Sequence, residues 1–151
     1  MKNENEVRIV DITEKAHYEK YLFKCLAPMP FRKYKRRREY LCRAIPQGFR
    51  KKLLIFNGDL IGTIEYAPAE VSGFPIICGN VIVMNCIWIL RRAKGHNLGK
   101  LLLNSMIKSE KNATGFATIA LDNHWSPWMR RDQMERLGFT QVDSVKLRHQ
   151  A

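Results

Sequence analysis

The most informative part of the sequence is Arg91-Arg-Ala-Lys-Gly-His-Asn-Leu-Gly-Lys-Leu-Leu-Leu103. It follows Val81–Leu90, an apolar and β-branched run that is typical of a central strand covered on both faces. From Gly99 onward, apolar residues recur at helical spacing, at Leu102, Leu103, Met106 and Ile107. This order predicts a strand, a turn that contains glycine, and a helix.

The turn between this strand and this helix has the residues of an anion site. Gly95 and Gly99 let backbone N–H groups approach an anion without interference from a Cβ atom, and the helix N-terminus adds a partial positive charge. The P-loop pattern is excluded, because it needs one more residue between the glycines and a hydroxyl after Lys100. The glycine spacing also differs from the dinucleotide-binding fingerprint. We therefore predict a phosphate-binding turn of another kind, here called the cradle, at residues 91–100.

The residues before the central strand predict a β-hairpin. Asn57-Gly58-Asp59 separates two β-rich runs, and Asn-Gly between such runs is a strong hairpin signal. We expect its strands at 51–56 and 60–67, followed by a loop at 68–80 that contains prolines and glycines. Upstream, the pattern predicts a strand at 7–12, a helix at 13–25 and a helix from Tyr34 to Ala44.

Downstream of the cradle helix, the pattern predicts a strand, a helix and a terminal β segment. The strand is expected at Gly115–Leu121. Ser126 followed by Pro127 matches an N-cap with proline at the first helical position, so a helix should run from there to Leu137 and end at a glycine. Residues 139–149 should supply one or two last strands.

Composition favours a single folded domain over residues 1–151. The chain is 46% hydrophobic and 26% charged, which excludes intrinsic disorder and collagen-like repeats. Its 26 Lys and Arg against 14 Asp and Glu give a net charge of +12. This charge predicts an anionic partner, and on its own leaves nucleic acid, a membrane surface and a phosphorylated small molecule open.

The cysteines argue against a metal site. Cys25, Cys42, Cys78 and Cys86 form no C-x-x-C pair, which disfavours zinc and redox exchange. The N-terminal residues contain no apolar run of the kind found in a signal peptide, and no apolar run approaches the length of a membrane span. We therefore expect a cytoplasmic protein with reduced thiols, no metal and no membrane partner.

With these elements in place, Lys94-Gly-His-Asn-Leu-Gly99 resembles the acetyl-CoA loop of the GCN5-related N-acetyltransferases (GNAT superfamily). That loop begins with Gln or Arg, has Gly three residues later, and has Gly or Ala two residues after that. Lys94 here replaces the Gln or Arg, and Asn97 replaces the first glycine. Asn tolerates left-handed backbone better than most residues, so this replacement is compatible with the loop.

Further segments resemble the same superfamily. Met134-Glu-Arg-Leu-Gly-Phe139 is similar to its late Tyr-x-x-x-Gly-Phe motif, and Asn85–Ile89 and His124–Trp128 are similar to an archaeal and bacterial branch. The order of expected elements also matches. The resemblance implies an α/β (α+β) fold with a mixed, mostly antiparallel central sheet, splayed central strands and about four flanking helices.

The resemblance implies acetyl-CoA as cofactor and assigns its binding residues. The pantetheine arm would follow the fourth strand and bind the backbone of Ile87, Trp88 and Ile89. The pyrophosphate would meet the N–H groups of Gly95, His96, Asn97, Leu98, Gly99 and Lys100. Arg91, Arg92 and Lys94 would add charge-assisted contacts.

The resemblance also implies transfer of an acetyl group to an amine, which needs a neutral nucleophile and a donor for the leaving thiolate. Many superfamily members use a Tyr on the last helix as the acid, and the matching position here is Met134. Asp122 and His124, which follow the fifth strand, are therefore the candidates for proton handling, with loop capping as the alternative. Glu65 and Glu70 are candidates to face an amine from the other side, and otherwise are ordinary surface acids.

A basic run keeps a different function open. From Arg32 to Arg38 six of seven residues are basic, and Arg50-Lys-Lys52 lies before the hairpin. These residues form either a solvated helix face or a surface that binds phosphates. The rival hypotheses are a non-catalytic nucleic-acid-binding module and an acetyltransferase that acts on an RNA-associated acceptor. The acceptor, a small-molecule or protein amine, and the oligomeric state are not encoded in any motif we recognise.

Overall fold

A computed structural model describes residues 6–12 and 35–146, with side chains from residue 39 onward in the second range. Within these two ranges, five strands form one sheet, in the order β1-β2-β3-β4-β5. The strands are β1 (Val7–Asp11), β2 (Arg50–Phe56), β3 (Asp59–Pro68), β4 (Val81–Ile89) and β5 (Gly115–Thr118). The described α-helices are α1 (Lys35–Ala44), α2 (Leu98–Ser109) and α3 (Arg131–Leu137).

The sheet is mixed and mostly antiparallel. Strands β1 to β4 pair antiparallel in sequence order, whereas β4 and β5 are parallel. The hairpin between β2 and β3 turns at Asn57 (φ 49°) and Gly58 (φ 84°), and positive φ at both central residues is what an Asn-Gly hairpin turn requires. The predicted hairpin is confirmed. Helix α2 makes the crossover between the parallel strands.

The two faces of the sheet carry separate cores. On one face, α2 contributes Leu102 and Met106 to a cluster with Leu54, Ile64 and Ile87. On the other face, α1 places Leu41 against Phe49, Leu53 and Ala67. This alternation of neighbouring strand residues between two buried faces explains why the hairpin and central strand are so rich in apolar side chains.

Most elements lie where the sequence predicts them, and β5 is shorter than expected. It ends at Thr118 rather than Leu121, because β4 and β5 pair only from Val81 to Met84 and from Gly115 to Thr118 and then part. The Thr118 hydroxyl donates to the Met84 carbonyl at 2.8 Å at this point. The expected splaying of two neighbouring strands is confirmed for β4 and β5. The helix expected at 13–25 lies outside the described residues.

The prediction that a helix begins at Ser126-Pro127 is wrong. The Ser126 hydroxyl does accept the Trp128 N–H, but Met129 then takes a left-handed conformation (φ 50°) that interrupts a helix. A bridge from Leu121 to Arg130 holds the chain extended, so α3 begins only at Arg131. The predicted end at Leu137 with Gly138 beyond it (φ 107°) is confirmed.

The terminal strands expected within 139–149 are absent from the described part, 139–146. Val142 and Val145 are three residues apart and almost fully exposed, so they offer no alternating apolar face to bury. Residues 147–149 lie outside the described part.

Candidate active site

The parting of β4 and β5 opens a gap between the last two strands of the described sheet. The Leu90 N–H donates to the Ile61 carbonyl of β3 at 2.8 Å. Because backbone groups alternate in direction along a strand, those of Trp88 also face β3, while those of Ile87 and Ile89 face the opposite side, where β5 has turned away. The backbone of Ile87 and Ile89 is therefore available along the gap.

The cradle follows directly at the end of β4. Arg91–Ala93 form one 3₁₀ turn, Gly95 has φ 94°, and Asn97 has φ 54° as the N-cap of α2. The left-handed conformation of Asn97 agrees with the expectation that Asn can replace glycine there. The bends at Gly95 and Asn97 aim the first turn of α2 at the end of the gap.

The first turn of α2 has unused hydrogen-bond donors. The first intrahelical bond runs from the Leu101 N–H to the Asn97 carbonyl, at 3.1 Å. In the described part of the chain, the N–H groups of Leu98, Gly99 and Lys100 meet no acceptor, and neither a side-chain cap nor an acidic residue is present in that turn. This end of the helix can therefore receive an anion.

The cations of the cradle differ in how they are held. Arg91, Lys94 and Lys100 are exposed. Arg92 pairs with Asp59 at 3.6 Å. On the same side, the His96 ring lies against Phe56, with the ring centroids 5.7 Å apart. The tip of the hairpin therefore supports one side of the cradle.

The two glycines of the cradle have different roles. A Cβ at Gly99 would lie 3.6 Å from the Leu137 side chain and 3.9 Å from Ile89, which are ordinary contacts with the protein interior. Gly95 has open space around it but a positive φ that other residues rarely adopt. Within the protein itself, the backbone conformation therefore favours glycine at Gly95, whereas a Cβ at Gly99 would fit.

Asp122 and His124 lie on an exposed loop between β5 and α3. Asp122 Oδ1 accepts the Asn123 N–H, and its Oδ2 accepts from Arg131 at 3.3 Å. His124 Nδ1 accepts the Ser126 N–H at 3.1 Å, and its ring lies 5.3 Å from that of Trp125. In a neutral imidazole the other nitrogen, Nε2, then carries the hydrogen, so His124 presents a donor to its surroundings.

Trp128 ties this loop to the sheet. Its Nε1–H donates to the Cys86 Sγ at 3.2 Å. Cys86 lies on β4 two residues beyond the last pair with β5. The loop that carries Asp122 and His124 is thereby anchored beside the beginning of the gap.

The other acid candidates fall in different environments. Glu65 is not a surface acid, since its side chain is 7% exposed and pairs at 3.1 Å with Lys51, whose side chain is 1% exposed. Glu70 is exposed in the loop after β3. Met134 is buried in the core on the α2 side and so does not offer a group to the gap.

The basic segments do not form one described surface. Arg32–Arg38 lies outside the residues whose side chains are described. Lys51 and Lys52 are buried, so the expectation that the segment Arg50-Lys-Lys52 belongs to a phosphate-binding surface is wrong. Lys52 turns instead toward α2, where its Nζ donates to the carbonyl and the hydroxyl of Ser105.

Asn85, which also lies in this region, is not among the site residues that the sequence predicts. It is the extra residue at a bulge in β4, and its Nδ2 donates to the Ser72 carbonyl at 2.7 Å. The available signal was its position as the polar residue within the apolar run Val81–Leu90.

Comparison with known proteins identifies the fold. Neither a protein-family model nor a curated protein matches the sequence. Among solved structures, the aminoglycoside 6'-N-acetyltransferase AAC(6')-Ih from Acinetobacter baumannii is 16% identical with a TM-score of 0.71, covering 97% of this chain and 99% of its own. AAC(6')-Iy in complex with a bisubstrate analogue is 13% identical with a TM-score of 0.67, covering 99% of both chains.

A third similar structure carries the superfamily name. It is a GNAT family acetyltransferase from Staphylococcus aureus, 14% identical with a TM-score of 0.60, covering 96% of this chain and 98% of its own. Together with the parted strands and the glycine turn that leads into α2, these matches establish that the chain has the fold of the GCN5-related N-acetyltransferases.

Proposed function

We propose that this protein is an acetyl-CoA-dependent N-acetyltransferase, built as one domain over residues 1–151. The observation that carries the proposal is the continuity of the gap beside Ile87 and Ile89 with the open first turn of α2. A molecule that combines an extended amide-bearing arm with a pyrophosphate fits this shape and its donors. Structures with the same fold have been solved with CoA and with a bisubstrate analogue of CoA.

The residues fit this cofactor as follows. The backbone of Ile87 and Ile89 would bind the pantetheine arm, whereas Trp88 directs its backbone to β3 and so fits only as a neighbouring side chain. The N–H groups of Leu98, Gly99 and Lys100 would bind the pyrophosphate, with Gly95, His96 and Asn97 shaping the turn. Arg91 and Lys94 would add charge, and Arg92 would do so from its pair with Asp59. Bound acetyl-CoA supplies the activated acetyl group.

Proton handling is assigned to the loop anchored by Trp128. His124, which presents Nε2–H, suits the role of hydrogen-bond donor to the leaving thiolate. To accept a proton, His124 would use Nδ1, and the hydrogen bond that Nδ1 accepts from the Ser126 N–H would have to break. Asp122, paired with Arg131, suits the role of orienting this loop or an ammonium group. Glu65 would act only through its ion pair with Lys51.

The acceptor is proposed at the level of its chemistry, a small-molecule or protein amine in the cytoplasm. Several structural neighbours are named for aminoglycosides, and that activity belongs to those proteins. The nucleic-acid-binding hypotheses gain no support, because Lys51 and Lys52 are buried. No helix in residues 6–12 and 35–146 is long and apolar enough to cross a membrane.

Calorimetry with CoA and with acetyl-CoA tests the donor assignment. We expect saturable binding and a rise in melting temperature with ligand concentration. Release of free CoA thiol from acetyl-CoA, followed with a panel of primary amines, then tests the activity. Absence of both heat and thermal shift at millimolar CoA would contradict the proposal.

A further inference from the structure

Asn85 lies where the gap begins. Strand β3 pairs Glu65 with Cys86 and Tyr66 with Met84, so Asn85 is an extra residue with no partner opposite. Met84 is the last residue of β4 that pairs with β5. The bulge thus marks the boundary between the paired part of β4 and the part that faces the gap.

The carboxamide of Asn85 is held in one orientation. Its Nδ2 donates to the Ser72 carbonyl at 2.7 Å. Ser72 is itself buried, and its hydroxyl donates to the Ala69 carbonyl and accepts the Phe74 N–H. Because a carbonyl can only accept, nitrogen must be the carboxamide atom that faces Ser72, and oxygen must face the other way.

Among the residues that the structure describes, none is a hydrogen-bond partner of the carboxamide oxygen. Oδ1 of Asn85 is buried and receives no hydrogen bond from the described residues. An acceptor left in this state destabilises the ligand-free fold, and an apolar side chain of similar size would avoid that cost. A ligand that brings an N–H or O–H donor would satisfy it.

We propose that Asn85 Oδ1 accepts a hydrogen bond from the amine of the acceptor and so positions the attacking nitrogen at the beginning of the gap. This inference rests on the proposed function. An acetyl thioester has no N–H or O–H at its reacting end, whereas the amine that attacks it does. A neutral carboxamide also suits the chemistry, because a carboxylate at this position would favour the ammonium form, which has no lone pair for attack.

The experiment uses heteronuclear NMR of the side-chain amide of Asn85 in protein saturated with CoA. Methylammonium chloride is the probe, and tetramethylammonium chloride, which has the same charge but no N–H, is the matched control. Asn85→Ala identifies the resonance. We expect a saturable shift of the Asn85 signal with methylammonium and none with tetramethylammonium. No shift with methylammonium, or equal shifts with both salts, would overturn the inference.

A second variant separates positioning from a structural role. Asn85→Asp keeps the side-chain shape, and its carboxylate should move the pH profile of amine acetylation to higher pH while CoA affinity stays within about twofold. A loss of turnover with an unmoved profile would mean that Asn85 only anchors the Ser72 loop. If CoA fails to bind before any amine is added, the proposed function itself is wrong.

Discussion

Burial shifts the pKa of two side chains in the core of this protein, Lys52 and Tyr66. Lys52 lies between β2 and α2, where burial lowers its pKa below the usual 10.5, against the opposing effect of Asp11 and Glu110. The folded state therefore releases this proton at lower pH than the unfolded chain does. Between the lowered pKa and 10.5 the unfolded state binds more protons, so stability contributed at this site rises with pH.

Comparison with Lys52→Met isolates this effect. Burial raises the pKa of Tyr66, so its contribution falls once the pH exceeds about 10, in both proteins alike. We expect the melting temperature of the wild type, relative to that of Lys52→Met, to increase from pH 7 to pH 10. A constant difference across this range would contradict the lowered pKa.

The glycines of the cradle make a matched pair of substitutions. Gly95→Ala forces a Cβ into a left-handed conformation, at a cost of about 1–2 kcal/mol, which corresponds to roughly tenfold weaker CoA binding if the turn yields. Gly99→Ala meets only ordinary contacts and should bind CoA within about twofold of wild type. Calorimetry decides, and equal losses in both variants would refute this division of roles.

The loop residues Asp122 and His124 should affect the chemical step more than cofactor binding. His124→Ala and Asp122→Asn, assayed at saturating acetyl-CoA, should lose roughly tenfold or more in turnover with little change in CoA affinity. Glu135→Gln is the control, because Glu135 also pairs with Arg131, at 2.8 Å, but lies on α3. If the loop variants keep wild-type turnover and pH profile, or if the control loses as much, the assignment is wrong.

At the scale of elements, helix stability and anion binding make opposite demands on the first turn of α2. A helix is stabilised by an acid near its N-terminus, yet this turn contains none and includes Lys100 instead. The absence of a stabilising residue is what an anion site requires. Stability and ligand binding therefore favour opposite charges at the same position.

Lys100→Glu should separate these demands. We expect the free protein to gain about 0.3–1 kcal/mol through the helix dipole, while CoA affinity falls by about tenfold or more through repulsion. Lys108→Glu, in the last turn of the same helix, makes the same change of charge and should leave CoA binding unaltered. Thermal unfolding and calorimetry measure the two effects, and a parallel loss in both would contradict the argument.

Elements whose signal is local were predictable, and those fixed by tertiary contacts were not. Asn57-Gly58 favours a tight hairpin turn whatever surrounds it, so the hairpin was predicted correctly. The helical spacing of apolar residues after Gly99 defines the buried face of α2, so this helix was predicted correctly too. The start of α3 is fixed by the left-handed conformation of Met129 and by the bridge between Leu121 and Arg130. No capping residue in the sequence marks this start. Ser126 caps a tight turn with the same hydroxyl that would cap a helix.

In the candidate site, too, features with a local signal were predictable, whereas features that depend on distant partners were not. The direction of the Ile87 and Ile89 backbone groups toward the gap follows from strand alternation once the register is known. The cradle is a continuous segment, so its residues can be identified from the sequence alone. The burial of Glu65 and the orphan oxygen of Asn85 depend on partners distant in sequence, Lys51 and Ser72. Only the folded chain brings these together.

At the scale of the whole molecule, apolar clusters cover both faces of a sheet whose strands pair continuously from β1 to β4 and part between β4 and β5. The strands β1 to β4 form a continuous antiparallel unit, and β5 joins it over four residues only. The proposed chemistry lies at the point of division, which requires no distortion of the packed unit. This separation is consistent with a fold that retains its architecture while its loops diverge.

The parting of β4 and β5 also sets the rate at which individual amides exchange hydrogen with solvent. The Cys86 and Trp88 amides face β3 and should exchange slowly, whereas Ile87 and Ile89, at alternating positions in the same central strand, should exchange far faster. Deuterium uptake should thus alternate along one strand of the free protein. Saturating CoA should slow Ile87 and Ile89 to the rate of their neighbours, and uniform protection without CoA would show that the gap is closed in solution.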